Sequence, residues 1–482
     1  MPLPDLIEIV PLQKPVRAEI TVPGSKSITN RALILAALAG GETTLTGALW
    51  SEDTQVMVEC LQELGFMVNV APDPEEACNR TITVYGQSGK VPRGGTEAQP
   101  LELFVGNAGT AARFLAAMVC LGDGVYRLHG VPRMHERPQA ALFAALRQLG
   151  YRMESEQGND KLPVRIHGGG AKPGAKCRVS IEASSQFASA LLLSATVGKW
   201  AVEIVGENAE ESPYVAMTSE LIKAFPQGGG TFQIEPDASS GSYFWAAGEL
   251  EVLNSERKEI AGDVELEIIC QPTVRVADWP TSGWQIDENF ERFFCEIAER
   301  TFGYSKKRLE ILEQDGEEAD VESQNLEESA VVSEQPLTIS RLQHLGDSIM
   351  TAIVLAPFCM EPVEFTDLGR LRVQECERVV ALRTELTKCG AKVIEEGDTL
   401  TVYPSPLHGA EIETYNDHRM AMCFAVLGLK VPGIKLRKPA CVKKTFPNFF
   451  QKLAAAPPRG LGVEIRDGHT GRVLGPDELF AD

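Results

Sequence analysis

Along the chain, apolar residues at three- and four-residue spacing repeatedly run into a glycine and then give way to a short strand-like segment. Val58-Glu-Cys-Leu-Gln-Glu-Leu-Gly65 leads into Phe66-Met-Val-Asn-Val70. Ala145-Leu-Arg-Gln-Leu-Gly150 leads into Tyr151-Arg-Met153, and Glu385-Leu-Thr-Lys-Cys-Gly390 into Ala391-Lys-Val393. Each glycine stands where a helix ends on a left-handed residue, a conformation glycine adopts without steric cost. Stretches rich in small apolar residues predict helices over Ser27 to Ala39, Thr110 to Leu121, Ser184 to Ala195 and Asp417 to Leu429. Ala201 to Val205 and Thr399 to Tyr403 predict strands. The pattern describes an α/β unit used several times, not one doubly wound sheet with a single glycine-rich fingerprint.

Two stretches break the repeat. Residues 251–282 read as extra strands and loop, centred on Glu265-Leu-Glu-Ile-Ile-Cys270. Residues 309–334 hold ten acidic residues and no Lys or Arg, which predicts a solvated loop. Beyond Ala454-Ala-Ala-Pro-Pro458, residues 456–482 predict a short appended tail.

The 482 residues suffice for two or three domains with sizeable cores. Lys and Arg number 46 against 67 Asp and Glu, a formal charge of -21. Nucleic acid is therefore a poor partner, and an anion site has to be a local basic cluster in a negative molecule. Eleven cysteines, with no CxxC pair, suit free thiols in a reducing cytoplasm better than a disulfide framework or zinc site. Met1-Pro-Leu-Pro-Asp5 lacks the charged and apolar regions of a leader, and no apolar run is long enough to span a bilayer. A soluble cytoplasmic protein is expected, with no membrane partner.

Several segments can carry chemistry. Pro23-Gly24-Ser25-Lys26-Ser27 runs into a predicted helix containing Arg31, and a helix N-terminus offers free N–H groups to an anion. The spacing is not that of a Walker A loop, and an ordinary capped helix start explains these residues equally well. Gly106-Asn-Ala-Gly109-Thr-Ala-Ala-Arg113 repeats the device, with capping by Asn107 or Thr110 as its plain alternative. Ser184-Ser185-Gln186 opens a third helix in the same style. Three such starts argue for helix N-termini converging on one multiply charged ligand. Arg137, Arg378, Arg419 and Lys444 supply cations, Asp347 and Glu375 carboxylates for proton transfer, and His418 an acid–base group or a structural imidazole.

Together these segments resemble the enolpyruvyl transferase family from about residue 7 to 453. The resemblance is carried by Pro23-Gly-Ser-Lys-Ser-Ile-Thr-Asn-Arg-Ala32, Gly106-Asn-Ala-Gly-Thr-Ala-Ala-Arg-Phe-Leu115, Arg133-Met-His-Glu-Arg-Pro138, Asp237-Ala-Ser-Ser-Gly-Ser-Tyr-Phe244, Tyr415-Asn-Asp-His-Arg-Met420 and Lys444-Thr-Phe-Pro447. It implies a two-lobed, inside-out α/β barrel of repeated βαβαββ units with the active site in the interlobe cleft. One lobe would be residues 1–24 plus 245–455, the other 25–244. The implied reaction moves the enolpyruvyl group of phosphoenolpyruvate to the 5-hydroxyl of shikimate 3-phosphate and releases phosphate. It passes through a tetrahedral ketal, with no metal and no cofactor.

By the same resemblance Lys26, Gly109, Arg137, Gln186, Arg378, Arg419 and Lys444 would hold phosphoenolpyruvate. Ser27, Arg31, Ser184, Ser185 and Tyr214 would hold the shikimate phosphate, and Asp347 its ring hydroxyls. Glu375 would accept the 5-hydroxyl proton, with Lys26, His418 or Lys444 delivering one to the methylene carbon. Glyphosate, an analogue at the phosphoenolpyruvate site, would inhibit because Gly109 leaves room for it. The chain would act as a monomer on small molecules alone. It departs from the family pattern on the acceptor side. Gln374-Glu-Cys-Glu-Arg378 replaces Lys-Glu-Thr-Asp-Arg, Arg370 replaces an Asn, and Arg341 opens a stretch that normally begins with Asp. Near Tyr214, Glu211 takes the register of a Ser, with Ser212 beside it. Two alternatives stand beside this reading: a transferase with another acceptor, including a UDP-sugar, and a non-catalytic paralogue that binds a phosphorylated ligand or a partner.

Overall fold

The computed structural model describes residues 3–14, 16–206, 212–252, 273–292 and 337–481. The acidic stretch 309–334, Glu265 to Cys270 and Glu211 lie outside the described residues.

Four four-stranded sheets share one pairing scheme among the described residues: a parallel pair, then two antiparallel neighbours. In chain order, strand Leu101–Phe104 is followed by helix Gly109–Met118, strand Val125–His129, helix Ala140–Gln148 and strands Arg152–Ser155 and Val164–His167. Strand Leu337–Ser340, helix Ile349–Leu355, strand Val363–Thr366, helix Arg378–Lys388 and strands Val393–Glu396 and Thr399–Val402 repeat it. These are the βαβαββ units that the resemblance implies. The other two sheets borrow a strand from a distant part of the chain. Gly230–Gln233 pairs in parallel with Gly40–Leu49, and Leu6–Ile9 lies between Ile434–Arg437 and Ile465–Asp467. Two parallel pairs, Lys176–Ser180 with Ala201–Val205 and Ala18–Ile20 with Val274–Val276, complete the sheets.

The units form two lobes with separate apolar cores, one spanning Ile28 to Ile234 and the other joining Leu3 to Val22 with Tyr243 to Ala481. The three glycines read as helix ends are so used: φ is +90° at Gly65, +90° at Gly150 and +95° at Gly390.

Residues 456–481 are not an appended tail. Leu461, Val463 and Ile465 alternate inward into the second core, and Ile465–Asp467 pairs antiparallel with Leu6–Ile9. That two-residue period is a strand signal at the very end of the chain.

Among the described residues the chain crosses between lobes at two places, and these lie side by side. Ser25 N–H donates to the Glu235 carbonyl at 2.8 Å, and Asp237 N–H to the Pro23 carbonyl at 2.8 Å. Gly24 is required at this point, because a Cβ there would stand 1.9 Å from the Gly47 carbonyl oxygen. Beside the crossings, Glu76 of one lobe meets Lys452 Nζ at 2.6 Å and accepts from Asn448 Nδ2 at 2.7 Å of the other.

Candidate active site

Among the described residues four of the six parallel strand pairs are joined by a helix, and helix Lys26–Leu38 likewise follows a strand, Ala18–Ile20, so helix N-termini collect at the carboxyl ends of strands. Three of them open on one cavity. Helix Lys26–Leu38 follows Ser25, helix Gly109–Met118 follows Ala108, and helix Gln186–Gly198 follows Ser185. At none of the three does the residue immediately before the helix make a side-chain capping hydrogen bond, which leaves first-turn N–H groups for a ligand at Lys26 and Gly109, while at the third helix Gln186 N–H donates to Ser184 Oγ at 3.2 Å. The capping alternative for Asn107 and Thr110 therefore does not hold at Gly109. Helix Gln186–Gly198 begins two residues later than expected, which keeps the Ser184 and Ser185 side chains outside it, on the cavity wall.

The cavity lies between the lobes and is lined by nine Lys and Arg side chains against five Asp and Glu. It is a local cationic patch in a chain of charge -21. Every site residue named from the sequence lines it: Lys26, Ser27, Arg31, Gly109, Arg137, Ser184, Ser185, Gln186, Tyr214, Asp347, Glu375, Arg378, His418, Arg419 and Lys444.

On the first lobe's side, Arg31 is fully buried and held by Thr218 Oγ1 at 2.7 Å, Ser189 Oγ at 3.0 Å and the Ser27 carbonyl at 2.9 Å. Burial pushes its pKa down to about 10. Arg137 donates to the Asn107 carbonyl at 3.0 Å, and Arg113 donates to Gln186 Oε1 at 2.5 Å. Gly109 lies under both guanidiniums. A Cβ there would meet Arg137 Nη2 at 2.7 Å and Arg113 Nη1 at 2.8 Å.

The facing side is built around Asp417. Its carboxylate caps helix His418–Gly428 by accepting from Arg419 N–H at 2.9 Å, and it binds Arg378 Nε at 2.7 Å. The turn before it holds two successive non-glycine residues in the left-handed region, Tyr415 at φ +55° and Asn416 at +53°. Tyr415 is anchored there by its hydroxyl, which donates to buried Glu385 at 2.7 Å. Local strain of this kind persists where the surroundings fix it.

Arg378 also reaches Glu375 Oε2 at 2.6 Å, and Lys444 Nζ lies 2.6 Å from Glu375 Oε1. Burial would raise the Glu375 carboxyl, but Lys444 and Arg378 outweigh it and hold it well below the usual carboxylate range. Against the opposite pull of burial, Glu375 and Asp53 keep the Lys444 ammonium above the usual lysine range. Burial drives His418 well below an ordinary histidine, and neither ring nitrogen has a hydrogen-bond partner among the described residues. The site thus holds an ionised carboxylate, a charged ammonium and a neutral imidazole together.

Asp347 is bracketed by Arg341 at 3.0 Å, Arg419 at 3.2 Å and Arg378 at 3.7 Å. Burial alone would raise it; the three guanidiniums keep it ionised to strongly acid pH. Sequence reasoning gave no role to Asp53, which pairs with Lys26 Nζ at 3.3 Å, or to Arg113, although the latter stands inside a quoted motif. It also missed Asp287, which accepts from the N–H groups of Gly346 and Ser348 at 2.9 Å each and from Ser239 Oγ. No spacing around Trp284-Gln-Ile-Asp287 signals this, because its partners are 48 to 61 residues away.

Residues 10–227 and 295–453 match the family described as EPSP synthase (3-phosphoshikimate 1-carboxyvinyltransferase). A 3-phosphoshikimate 1-carboxyvinyltransferase of Trichormus variabilis is 35% identical over 474 residues, covering 93% of this chain and 98% of that protein. One from Opitutus terrae is 36% identical over 481 residues, covering 94% and 98%. Among solved structures, EPSP synthase from Acinetobacter baumannii superposes with a TM-score of 0.66 at 20% identity, over 96% of this chain and all of that one. The enolpyruvyl transferase NikO from Streptomyces tendae gives 0.59 at 16% identity, over 97% and 99%. The structural likenesses speak to the fold, while the sequence relatives cover 93% and 94% of the chain and the family match covers well over half of it. The chain belongs to the EPSP synthase (3-phosphoshikimate 1-carboxyvinyltransferase) family of enolpyruvyl transferases.

Proposed function

We propose that the cleft transfers the enolpyruvyl group of phosphoenolpyruvate to the 5-hydroxyl of shikimate 3-phosphate, with the residue roles that the family likeness implies. The observation that carries this reading is the buried Lys444–Glu375–Arg378 cluster facing Lys26 and Arg137 inside a strongly cationic cavity. Two phosphates and a carboxylate repel one another, and a preorganised set of guanidiniums and helix N-termini offsets that repulsion. Lys26, Gly109, Arg137, Gln186, Arg378, Arg419 and Lys444 hold phosphoenolpyruvate. Ser27, Arg31, Ser184, Ser185 and Tyr214 hold the acceptor's phosphate, and Asp347 its hydroxyls. Lobes of residues 1–24 plus 245–455 and 25–244 belong to the same reading; the two cores support the division, with the second core reaching from Tyr243 to Ala481. The protein works as a cytoplasmic monomer, its partners these small anions and no nucleic acid.

In the addition step the 5-hydroxyl oxygen bonds to C2 of phosphoenolpyruvate, its proton passes to Glu375, and a proton is delivered to C3. Elimination then removes a proton from the new methyl group and breaks the bond to phosphate. A neutral His418 is a far weaker acid than a lysine ammonium, which favours Lys444 or Lys26 as the donor. In the resting site Glu375 is stabilised as an anion and is a weak base. Phosphoenolpyruvate would compete for Lys444 and Arg378, raise the Glu375 pKa and make it a base only once substrate is bound. Steady-state phosphate release from the Glu375→Gln variant should fall roughly a hundredfold or more below wild type. A rate near wild type would remove Glu375 from the role.

A further inference from the structure

Arg370 belongs to the short 3-10 turn Gly369–Val373, on the side of the cleft that carries Glu375, Arg378 and Asp347. Its guanidinium nevertheless reaches the opposite lobe, where Nη1 donates to the Ala183 carbonyl at 2.6 Å. Ala183 immediately precedes Ser184, Ser185 and Gln186, whose side chains line the cavity. The turn beneath Arg370 is braced. Leu368 and Leu371 are buried in the core, and Arg372 ties the turn to Asp398 at 2.8 Å, Glu395 at 2.8 Å and Glu377 at 2.5 Å. The same turn runs on to Gln374, whose Oε1 accepts from Arg378.

A rigid support therefore carries a charged donor across the cleft. One end of the contact fixes the loop proposed to bind the acceptor's phosphate, and the other stands five residues before the proposed base, Glu375. We propose that Arg370 is a positioning residue for the acceptor. By holding the Ala183 carbonyl it aims the Ser184 and Ser185 donors across the cleft toward Glu375. The proposal rests on the acceptor reading given above and deepens it. A charge-assisted hydrogen bond needs a cation of similar reach, so Lys can replace Arg in part and Ala cannot.

The test is steady-state phosphate release by the full-length wild type, Arg370→Ala and Arg370→Lys, titrating shikimate 3-phosphate at saturating phosphoenolpyruvate and then the reverse. Arg370→Ala should lose roughly ten- to a hundredfold in kcat/KM for shikimate 3-phosphate, mainly through KM. Its KM for phosphoenolpyruvate should move less than about threefold, and Arg370→Lys should recover most of the loss. A kcat/KM for Arg370→Ala within about twofold of wild type overturns the proposal, as do Ala and Lys variants impaired alike. Wild-type protein that turns over shikimate 3-phosphate beside an unaltered Arg370→Ala removes the positioning role alone. Wild-type protein inert with that acceptor removes the acceptor reading, and the positioning role falls with it.

Discussion

Gly109 states the residue-scale case most simply. Its missing side chain is what lets Arg113 and Arg137 lie over the helix start, since a Cβ would stand within 2.8 Å of both. Those atoms are the ends of long side chains, so Gly109→Ala should fold and displace them at a cost of about 1–3 kcal/mol. The expected result is a rise of roughly tenfold in KM for phosphoenolpyruvate, with weaker inhibition by glyphosate. Unchanged KM and unchanged inhibition would show that this space is not part of the substrate site. His418 sets a pH dependence. Its folded pKa is depressed by burial, so the unfolded chain takes up a proton that the folded one refuses. The stabilisation is complete above the unfolded value near about 6.5 and is lost as pH falls below it. Glu375 and Asp347 are also depressed, and their contribution fades only below about pH 4. Melting temperature should therefore fall from pH 7 to pH 5 in wild type and fall less in His418→Gln. Identical slopes would contradict this. At this scale the motifs of the resemblance picked out Lys26, Glu375 and Lys444, and the fold brings all three to one cavity. The sequence was silent on Asp53 and Asp287, whose roles depend on partners that only the fold brings near.

Elements explain why those residues meet. Helix ends at Gly65, Gly150 and Gly390, and the strand periods that follow them, were legible because local sequence and backbone conformation agree. The borrowed strands were not, because Gly230–Gln233 and Leu6–Ile9 pair with segments far away and are specified by the partner sheet's open edge. The same holds for the last strand: after a Pro-Pro step and glycines it reads locally as a tail, and it becomes a strand by docking beside Leu6–Ile9. Asp287 works at this scale too. It joins the start of helix Ala238–Val252, through Ser239, to the loop that presents Asp347. Asp287→Ala leaves two buried backbone donors without an acceptor, a loss of roughly 1–3 kcal/mol in stability. Activity should fall about tenfold as Asp347 loses its frame, with Asp287→Asn milder because one acceptor oxygen remains. An Ala variant with wild-type melting and activity would show that the Asp347 loop holds itself.

For the whole molecule, the decisive fact is a cationic cleft enclosed by a protein of charge -21. Only the convergence of both lobes achieves it, since Arg31, Arg113 and Arg137 come from one and Arg341, Arg378, Arg419 and Lys444 from the other. Composition predicted that an anion site would have to be local, and the family likeness supplied which cations; neither gave the distances that leave Glu375 ionised and His418 neutral. The departures from the family pattern expected from the resemblance, at Arg341, Arg370 and Gln374, fall on the proposed acceptor side. The most direct test is therefore phosphate released from phosphoenolpyruvate by the purified protein with shikimate 3-phosphate, shikimate or UDP-N-acetylglucosamine as acceptor. Rapid release with shikimate 3-phosphate alone is the predicted result. Release with another acceptor, or none with any of the three from folded protein that binds phosphoenolpyruvate, would contradict it.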